Sequence, residues 1–248
     1  MLKRLLIIIP LIILSSIANA QKLDGDYLYK VTTIRAGTGQ FADLIDWVKA
    51  FKNSGYHEKA ETGQPLVMRH SQGDQWDLLF ITPMGSWQHY YSESVSTKRA
   101  KASAAYSDLL WQFDEMVAFE EDHFSYGPPY SVLSEAYLNN DFYHIEMFDA
   151  APGKADALLE ERHMENVYLA ATGQVSNFIF RRAAGSNVDV FTIGFHQDIE
   201  AFSASSGATA DDKEKAAKAA GFKDRADLSF YLRALLSAHH DTLAGKVE

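Results

Sequence analysis

Gly73-Asp-Gln-Trp-Asp77-Leu-Leu-Phe-Ile-Thr82 and Gly185-Ser-Asn-Val-Asp189-Val-Phe-Thr-Ile-Gly194 are two stretches of the sequence that follow the same pattern. Each begins with a glycine, reaches an aspartate four residues later, and continues into an apolar run rich in β-branched and aromatic side chains. A glycine turn between two apolar runs is typical of a β-hairpin. The repetition indicates that the chain contains two similar units.

The segments before the two hairpins also match. Each half begins with a β-rich segment, a glycine turn and an amphipathic segment, and a Gly-Gln pair then introduces another apolar segment. This order predicts strand, helix, strand, with Tyr29–Ile34, Phe41–Val48 and Leu66–His70 in the first half, and Tyr143–Phe148, Ala155–Leu159 and Val175–Arg182 in the second.

Helical spacing of apolar residues returns after each hairpin. It predicts helices over Ala102–Met116 and Ala226–Leu243, and Phe119–Tyr126 is a candidate closing strand of the first unit. Gly127-Pro128-Pro129 interrupts regular structure between the halves. We therefore divide the chain into a leader (residues 1–20), a first unit (21–126), a linker (127–140) and a second unit (141–248).

The element order βαββα, used twice, is that of the ferredoxin-like arrangement. We predict an α+β fold in which two such units follow in tandem and their antiparallel sheets face each other, with helices outside. On these elements and glycines the sequence resembles the dimeric α/β-barrel superfamily, including antibiotic-biosynthesis-monooxygenase-like, EthD-like and NIPSNAP-like proteins. The resemblance implies cofactor-free oxygenation, haem binding or the binding of small apolar molecules.

The first twenty residues have the pattern of a secretory signal peptide. Lys3 and Arg4 precede an apolar run, and Ala18-Asn19-Ala20 forms an A-x-A cleavage motif. The apolar run contains Pro10 and is short for a membrane span. We expect a periplasmic or secreted protein without a membrane anchor after cleavage. The absence of cysteine from all 248 residues is compatible with an oxidising compartment.

Composition and motifs narrow the range of partners, catalytic sites and cofactors that we expect. A net charge of −10 argues against a nucleic-acid partner. The sequence has no G-x-S-x-G, H-E-x-x-H or P-loop motif, and Gly37-Thr38-Gly39 lacks the third glycine of a dinucleotide loop. We therefore predict no bound cofactor or metal, with haem as the alternative; its axial ligand would be His144, His163 or His240.

The candidate catalytic residues lie in the second unit. His144 and Glu146 share one face of the predicted strand, as alternate residues, with Phe142 and Phe148. Tyr143, Ile145 and Met147 occupy the opposite face, so we expect both faces to be covered and the imidazole and carboxyl to act as an acid/base pair beside Phe142, Phe148 or Phe180.

Glu160 and His163, three residues apart on the following helix, form a second candidate pair. A solvated, charged helix face is the alternative interpretation of that pair. The corresponding region of the first half, from Lys49 to Lys52, has no matching histidine, so the predicted site belongs to one half only.

Three functions follow from this sequence. The first is an exported protein that binds a small apolar or aromatic molecule, as a monomer or homo-oligomer, and oxidises it without a bound cofactor. The others are a haem-handling protein and a non-enzymatic interaction module. All four tryptophans, at positions 47, 76, 87 and 111, belong to the first half, where a cavity lined by them would suit a flat apolar ligand.

Overall fold

A computed structural model describes residues 23–247 of the chain. The predicted signal peptide, residues 1–20, lies outside the described residues. None of the helices within residues 23–247 combines the length and the apolar character that a membrane crossing requires.

Each half contributes four strands to the structure. The first half consists of β1 (Tyr27–Ala36), α1 (Phe41–Asn53), α2 (Tyr56–Ala60), β2 (Leu66–Gln72), β3 (Leu78–Gly85), α3 (Trp87–Tyr90), α4 (Glu93–Ala105), α5 (Ser107–Met116) and β4 (Val117–Gly127). Helix α6 (Tyr130–Asn139) occupies the segment predicted as a linker. The second half consists of β5 (Phe142–Ala150), α7 (Ala155–Ala171), β6 (Phe178–Gly185), β7 (Val190–His196), α8 (Ile199–Ser203), α9 (Ala210–Ala220), α10 (Asp227–Leu235) and β8 (Leu236–Lys246).

The eight strands form one closed antiparallel barrel in the order β1-β3-β2-β8-β5-β7-β6-β4. Within it, β4-β1-β3-β2 and β8-β5-β7-β6 are the same four-stranded ferredoxin-like sheet, built once by each half. The seams β2–β8 and β4–β6 join the two sheets edge to edge. The predicted α+β fold of two tandem ferredoxin-like units with facing sheets is confirmed, and the closing strand predicted at Phe119–Tyr126 is β4.

The last predicted helix is wrong in its second part. Helix α10 ends at Leu235, and residues predicted to continue it to Leu243 form strand β8 instead. The backbone of β8 pairs with β5 on one side and with β2 on the other, so it closes the barrel. The helical spacing of Leu228, Leu232 and Leu235 is realised within α10, and after Leu235 those long-range hydrogen bonds determine the conformation. The helix predicted over Ala102–Met116 is also divided, at Tyr106, between α4 and α5.

Apolar side chains fill the barrel. Tyr29 and Val31 of β1 point inward, as do Tyr143 and Ile145 of β5, and all four are fully buried. Helix α6 adds Leu133 and Tyr137 to the same core. Since successive side chains of a strand alternate between faces, the even-numbered residues of β1 and β5 point outward, beneath the helices. The barrel interior is thus a packed core, and chemistry on these two strands is directed toward the sheet–helix layers.

Two matched glycines lie at the barrel seams. Gly73 has a positive φ of 120°, and a Cβ there would lie 2.0 Å from the backbone oxygen of Asp241 in β8. Gly185 has a φ of 82°, and a Cβ there would lie 3.0 Å from the backbone oxygen of Asp122 in β4. The hairpin of each half therefore needs glycine because the fourth strand of the other half passes against it.

Candidate functional site

A cavity of about 320 Å³ lies between the outer face of the second-half sheet and the elements that cover it, α7, α8 and their loops. Its polar lining comprises His144, Glu146, Glu165, Gln174, Asn177, His196, Ser205 and Ser206. Its apolar lining comprises Leu169, Gly173, Val175, Ala201, Phe202 and Ala204. The predicted strand pair His144 and Glu146 therefore shares one cavity, whose walls are more polar than the sequence suggested.

His144 is the imidazole at the centre of this layer. Its Nε2 lies 3.5 Å from the Asp241 Oδ1, and its ring centroid lies 5.2 Å from that of Phe202. Burial lowers the pKa of His144, but pairing with Asp241 and the negative charges of Glu146 and Glu165 outweigh burial, so the pKa is raised above 6.5. His144 therefore titrates above the ordinary histidine range and is oriented by a carboxylate.

Asp241 is the partner that sequence reasoning missed. Pairing with His144 is the main reason that the pKa of Asp241 falls to about 2, against partial burial, and His239 contributes at 3.0 Å. Asp241 faces Glu146 in the register of β8 with β5. The signal was present in the run His239-His240-Asp241, but a residue assigned to a helix could not be placed opposite a strand.

A buried arginine lies close to the carboxyl groups on one side of the cavity. Arg162 of α7 is 1% exposed and donates from Nε to Glu161 at 2.6 Å and from Nη1 to Glu165 at 2.8 Å. Its Nη1 also lies 3.8 Å from the Glu146 Oε2, which accepts a hydrogen bond from Thr192. Burial raises the pKa of Glu161 to about 7, even though Arg162 opposes the rise. The single positive charge of Arg162 is thus shared by the carboxyl groups of Glu146, Glu161 and Glu165.

The helix pair predicted from sequence lies elsewhere. The Glu160 side chain is exposed, and the His163 Nε2 faces the Asp24 Oδ2 at 3.3 Å, outside the cavity lining. The structure does not bring Glu160 and His163 to His144 and Glu146, because the face of α7 directed at the sheet carries Arg162 and Glu165. His240, the third candidate haem ligand, is exposed, and its Nδ1 lies 3.6 Å from the Asp74 Oδ1.

The aromatic neighbours expected around His144 divide among three environments. Phe142 packs on Phe202, with ring centroids 5.4 Å apart, and so belongs to the cavity side. Phe148 lies beneath the guanidinium of Arg162, 4.7 Å away. Phe180 stacks on Phe191 inside the barrel. The aromatic contact of the His144 ring is Phe202 of α8, which the sequence analysis did not single out.

The first half carries the equivalent of the His144–Asp241 pair with a different base. Lys30 and Thr32 occupy the β1 positions that correspond to His144 and Glu146, and Asp122 faces Thr32 as Asp241 faces Glu146. The Lys30 Nζ lies 3.2 Å from Asp122, and the Thr32 hydroxyl donates to Asp122 at 2.5 Å. A lysine ammonium stays charged at neutral pH, whereas an imidazole exchanges its proton there. Proton transfer near neutral pH is therefore available at the second-half position.

The same three second-half side chains also have the spacing of metal ligands. One atom each of His144, Glu146 and Asp241 lies within 4.8 Å of the others. A nitrogen and two carboxylate oxygens at this spacing suit a divalent cation, while the neighbouring Arg162 opposes one. The arrangement can therefore act as a proton-transfer site or hold a cation.

No protein-family model matches the sequence, and none of the curated proteins matches it significantly. Solved structures do match its fold. An anthrone oxidase-like protein superposes with a TM-score of 0.55 at 12% identity, covering 92% of this chain and 94% of the other. A candidate monooxygenase of Lactobacillus acidophilus NCFM gives 0.52 at 8% identity, covering 90% and 95%. One of Fusobacterium nucleatum subsp. nucleatum gives 0.54 at 7% identity, covering 90% and 94%. Over nearly its whole described length, the chain has the tandem dimeric α/β-barrel fold of these proteins.

Proposed function

We propose that this chain is an exported protein that binds a small aromatic or apolar molecule in the second-half cavity and oxidises it with dioxygen, without a bound cofactor. The observation that carries the proposal is the His144–Asp241 pair, a carboxylate-oriented imidazole on the wall of a cavity of about 320 Å³. Export is supported by the charged, apolar and A-x-A order of residues 1–20.

The proposed reaction begins with the transfer of a proton from the substrate to His144. Neutral His144 accepts a proton from an acidic C–H or O–H group of the substrate, and Asp241 stabilises the imidazolium that forms. Leu169, Val175 and Phe202 provide the apolar part of the cavity, against which a ring can lie. The resulting substrate anion is electron-rich, and dioxygen from solution is the oxidant that receives its electrons. Because the base must be neutral, the rate rises with pH through the raised pKa of His144.

Glu146 and Glu165 favour the protonated imidazole, since their charges lie close to His144. Arg162 limits that charge by pairing with Glu165 and lying near Glu146. His196 also packs on Phe202, with ring centroids 5.2 Å apart, and burial, together with the neighbouring His144, lowers the pKa of His196. The two histidines therefore differ in role: His144 is the base, and His196 is an uncharged side chain in the lining of the cavity.

Haem, the alternative cofactor, fits the second-half cavity poorly. A haem pocket needs apolar surfaces on both faces of the macrocycle and an imidazole nitrogen free to bind iron. The second-half cavity carries the carboxyl groups of Glu146 and Glu165, and the His144 Nε2 is directed at Asp241. His163 and His240 lie outside this cavity. We therefore derive no step through haem.

Anthrone is a suitable probe substrate, because its methylene is an acidic C–H group and its oxidation balances with dioxygen alone: anthrone plus O₂ gives anthraquinone plus water. We expect the purified protein to consume oxygen when anthrone is added and to form anthraquinone. The His144→Gln variant should lower kcat by about 10²- to 10⁴-fold, the usual contribution of a general base. His163→Gln and Glu160→Gln are matched controls, since neither residue lines the cavity, and both should keep the wild-type rate.

Wild-type oxygen uptake that is unchanged in His144→Gln would contradict the proposed role of this base. A Soret band on titration with haemin would instead favour the haem-handling function. The non-enzymatic interaction module predicts neither turnover nor ligand binding, and an effect of His144→Gln on stability alone.

A further inference from the structure

The first half has a cavity of its own, at the position equivalent to the second-half one. It measures about 220 Å³ and lies over Lys30 and Thr32 of β1, as the other lies over His144 and Glu146 of β5. Aromatic side chains from α1, α2, α3, β3 and α5 form much of its wall, namely Trp47, Phe51, Tyr56, Phe80, Tyr90 and Phe113. An enclosure of this kind accepts a flat ring.

The aromatic wall is fixed in place. The Trp47 ring stacks on Phe51, with centroids 4.8 Å apart and planes 12° from parallel, and it packs on Phe113 at 4.6 Å. The Trp47 Nε1 donates to the Leu109 carbonyl at 2.6 Å, so the polar end of the indole is satisfied within the protein. What Trp47 offers to a ligand is apolar ring surface.

One side chain of the cavity lining has a buried nitrogen without a partner. His57 is 6% exposed, its Nδ1 lies 3.2 Å from the Thr62 Oγ1, and its Nε2 has no hydrogen-bond partner in the described chain. Phe51 and Tyr56 contact the imidazole edge to face, at 4.8 and 5.2 Å. Leaving a buried nitrogen unbonded costs about 1–3 kcal/mol, so an occupant that bonds to it gains that energy.

The two cations of this cavity are already engaged. Lys30 pairs with Asp122, and the guanidinium of Arg99 lies 3.7 Å above the Tyr90 ring while donating to the Tyr90 carbonyl. Besides ring surface, the cavity therefore offers the buried His57 nitrogen and the carboxyl group of Glu120, which is exposed to solvent. In this half a lysine replaces the catalytic base proposed for the other, so the position favours binding over proton abstraction.

We propose that the first-half cavity is a second ligand site, which binds a small hydroxylated aromatic molecule through a hydrogen bond between its hydroxyl group and the His57 Nε2. A hydroxyl group fits either histidine tautomer. If Nδ1 donates to Thr62, Nε2 accepts from the ligand; if Thr62 donates to Nδ1, Nε2 donates to the ligand oxygen. The ring lies against Trp47 and Phe51. The site is separate from the proposed oxidation at His144.

The test compares 2-naphthol with naphthalene, which has the same rings and no hydroxyl group. The full chain is labelled with ¹⁵N at its histidines and titrated with each probe, and the His57 resonances are assigned by their loss in His57→Phe. We expect 2-naphthol to shift the His57 Nε2 resonance and to bind at least about fivefold more tightly than naphthalene at this site, the worth of one hydrogen bond. His57→Phe keeps an aromatic ring in place and should remove that preference.

His144→Gln is the matched control in the other half, and it should leave the shift at His57 and the affinity measured there unchanged. Equal affinities of the two probes at His57, a shift of His144 without one of His57, or a preference that survives in His57→Phe would each overturn the proposal. Should His57→Phe fail to fold, His57→Gln supplies the assignment, and the shift of the His57 Nε2 in the wild-type chain then decides. None of these readouts depends on oxygen consumption, so the proposed second ligand site is tested independently of the proposed oxidation.

Discussion

Replacing Asp241 by asparagine (Asp241→Asn) removes the carboxylate that raises the pKa of His144, and its consequence for stability follows from the geometry. The pKa of Asp241 is about 2 in the folded chain, against an ordinary 3.8. At about 1.4 kcal/mol per pH unit, this difference corresponds to about 2.5 kcal/mol. Because the Asp241 side chain is 54% exposed, water screens the pair, and we expect a loss of about 1 kcal/mol in the free energy of unfolding.

The size of the effect changes with pH in two windows. Asp241 has a lowered pKa, so its contribution is present above pH 3.8 and is lost as the pH falls toward 2. His144 has a raised pKa, so its contribution is full below pH 6.5 and is lost as the pH rises through the folded-state value. The difference between wild type and Asp241→Asn should therefore be largest near pH 5.5 and shrink toward both pH 2.5 and pH 8.5.

Urea unfolding followed by circular dichroism at pH 2.5, 5.5 and 8.5 measures this profile. Asp122→Asn is the matched control, since Asp122 pairs with Lys30 at the equivalent position of the first half. Lysine keeps its charge from pH 5.5 to 8.5, so the cost of Asp122→Asn should stay level over that range. A level cost for Asp241→Asn between pH 5.5 and 8.5, like that of the control, would refute the pairing of His144 with Asp241.

Three further predictions concern the same cavity. Arg162→Met should lower the free energy of unfolding by about 3 kcal/mol in the same urea experiment, because three carboxyl groups lose their cation. The control Arg181→Met removes an exposed pair with Asp26 and should cost under about 1 kcal/mol. Gly194→Ala places a Cβ 2.9 Å from the Asn177 Oδ1 and 3.0 Å from the His196 Nε2, so it should weaken ligand binding in the second-half cavity. The histidine NMR titration should show that 2-naphthol still binds at His57 in this variant. Removal of divalent cations with EDTA should leave the anthrone-dependent oxygen uptake unchanged; a loss that is restored by one added metal would assign His144, Glu146 and Asp241 to a metal centre instead.

The duplicated hairpins were predictable from the sequence because their determinants are local. Gly73 and Gly185 allow the turns, and the apolar runs after Asp77 and Asp189 indicate buried strands without reference to the rest of the chain. Strand β8 was not predictable in that way. Residues 237–241 are exposed, and the hydrogen bonds that make them a strand come from β2 and β5, which lie far away in sequence.

The candidate site was predictable on its strand and ambiguous on its helix. The alternation of Tyr143, Ile145 and Met147 with His144 and Glu146 determines which face of β5 is in the core. On α7 the charged residues Glu160, Glu161, Arg162, His163 and Glu165 encircle the helix, so spacing alone does not indicate which of them faces the sheet. The sheet-facing pair Arg162 and Glu165 has the same i, i+3 spacing as the predicted pair Glu160 and His163.

The closed order of the eight strands has a consequence for how copies of this chain can associate. A sheet edge offers unpaired amide and carbonyl groups to any passing strand, which is a common route to aggregation and to strand exchange. In the barrel each half supplies the neighbour that completes the other, so the described strands leave no such edge. Strand pairing between copies is thus closed to the described strands, whereas the helical exterior presents Trp111 of α5 and Phe230 of α10, which are exposed at equivalent places in the two halves. A homo-oligomer of this chain would be joined by helix packing, with its two barrel seams left untouched.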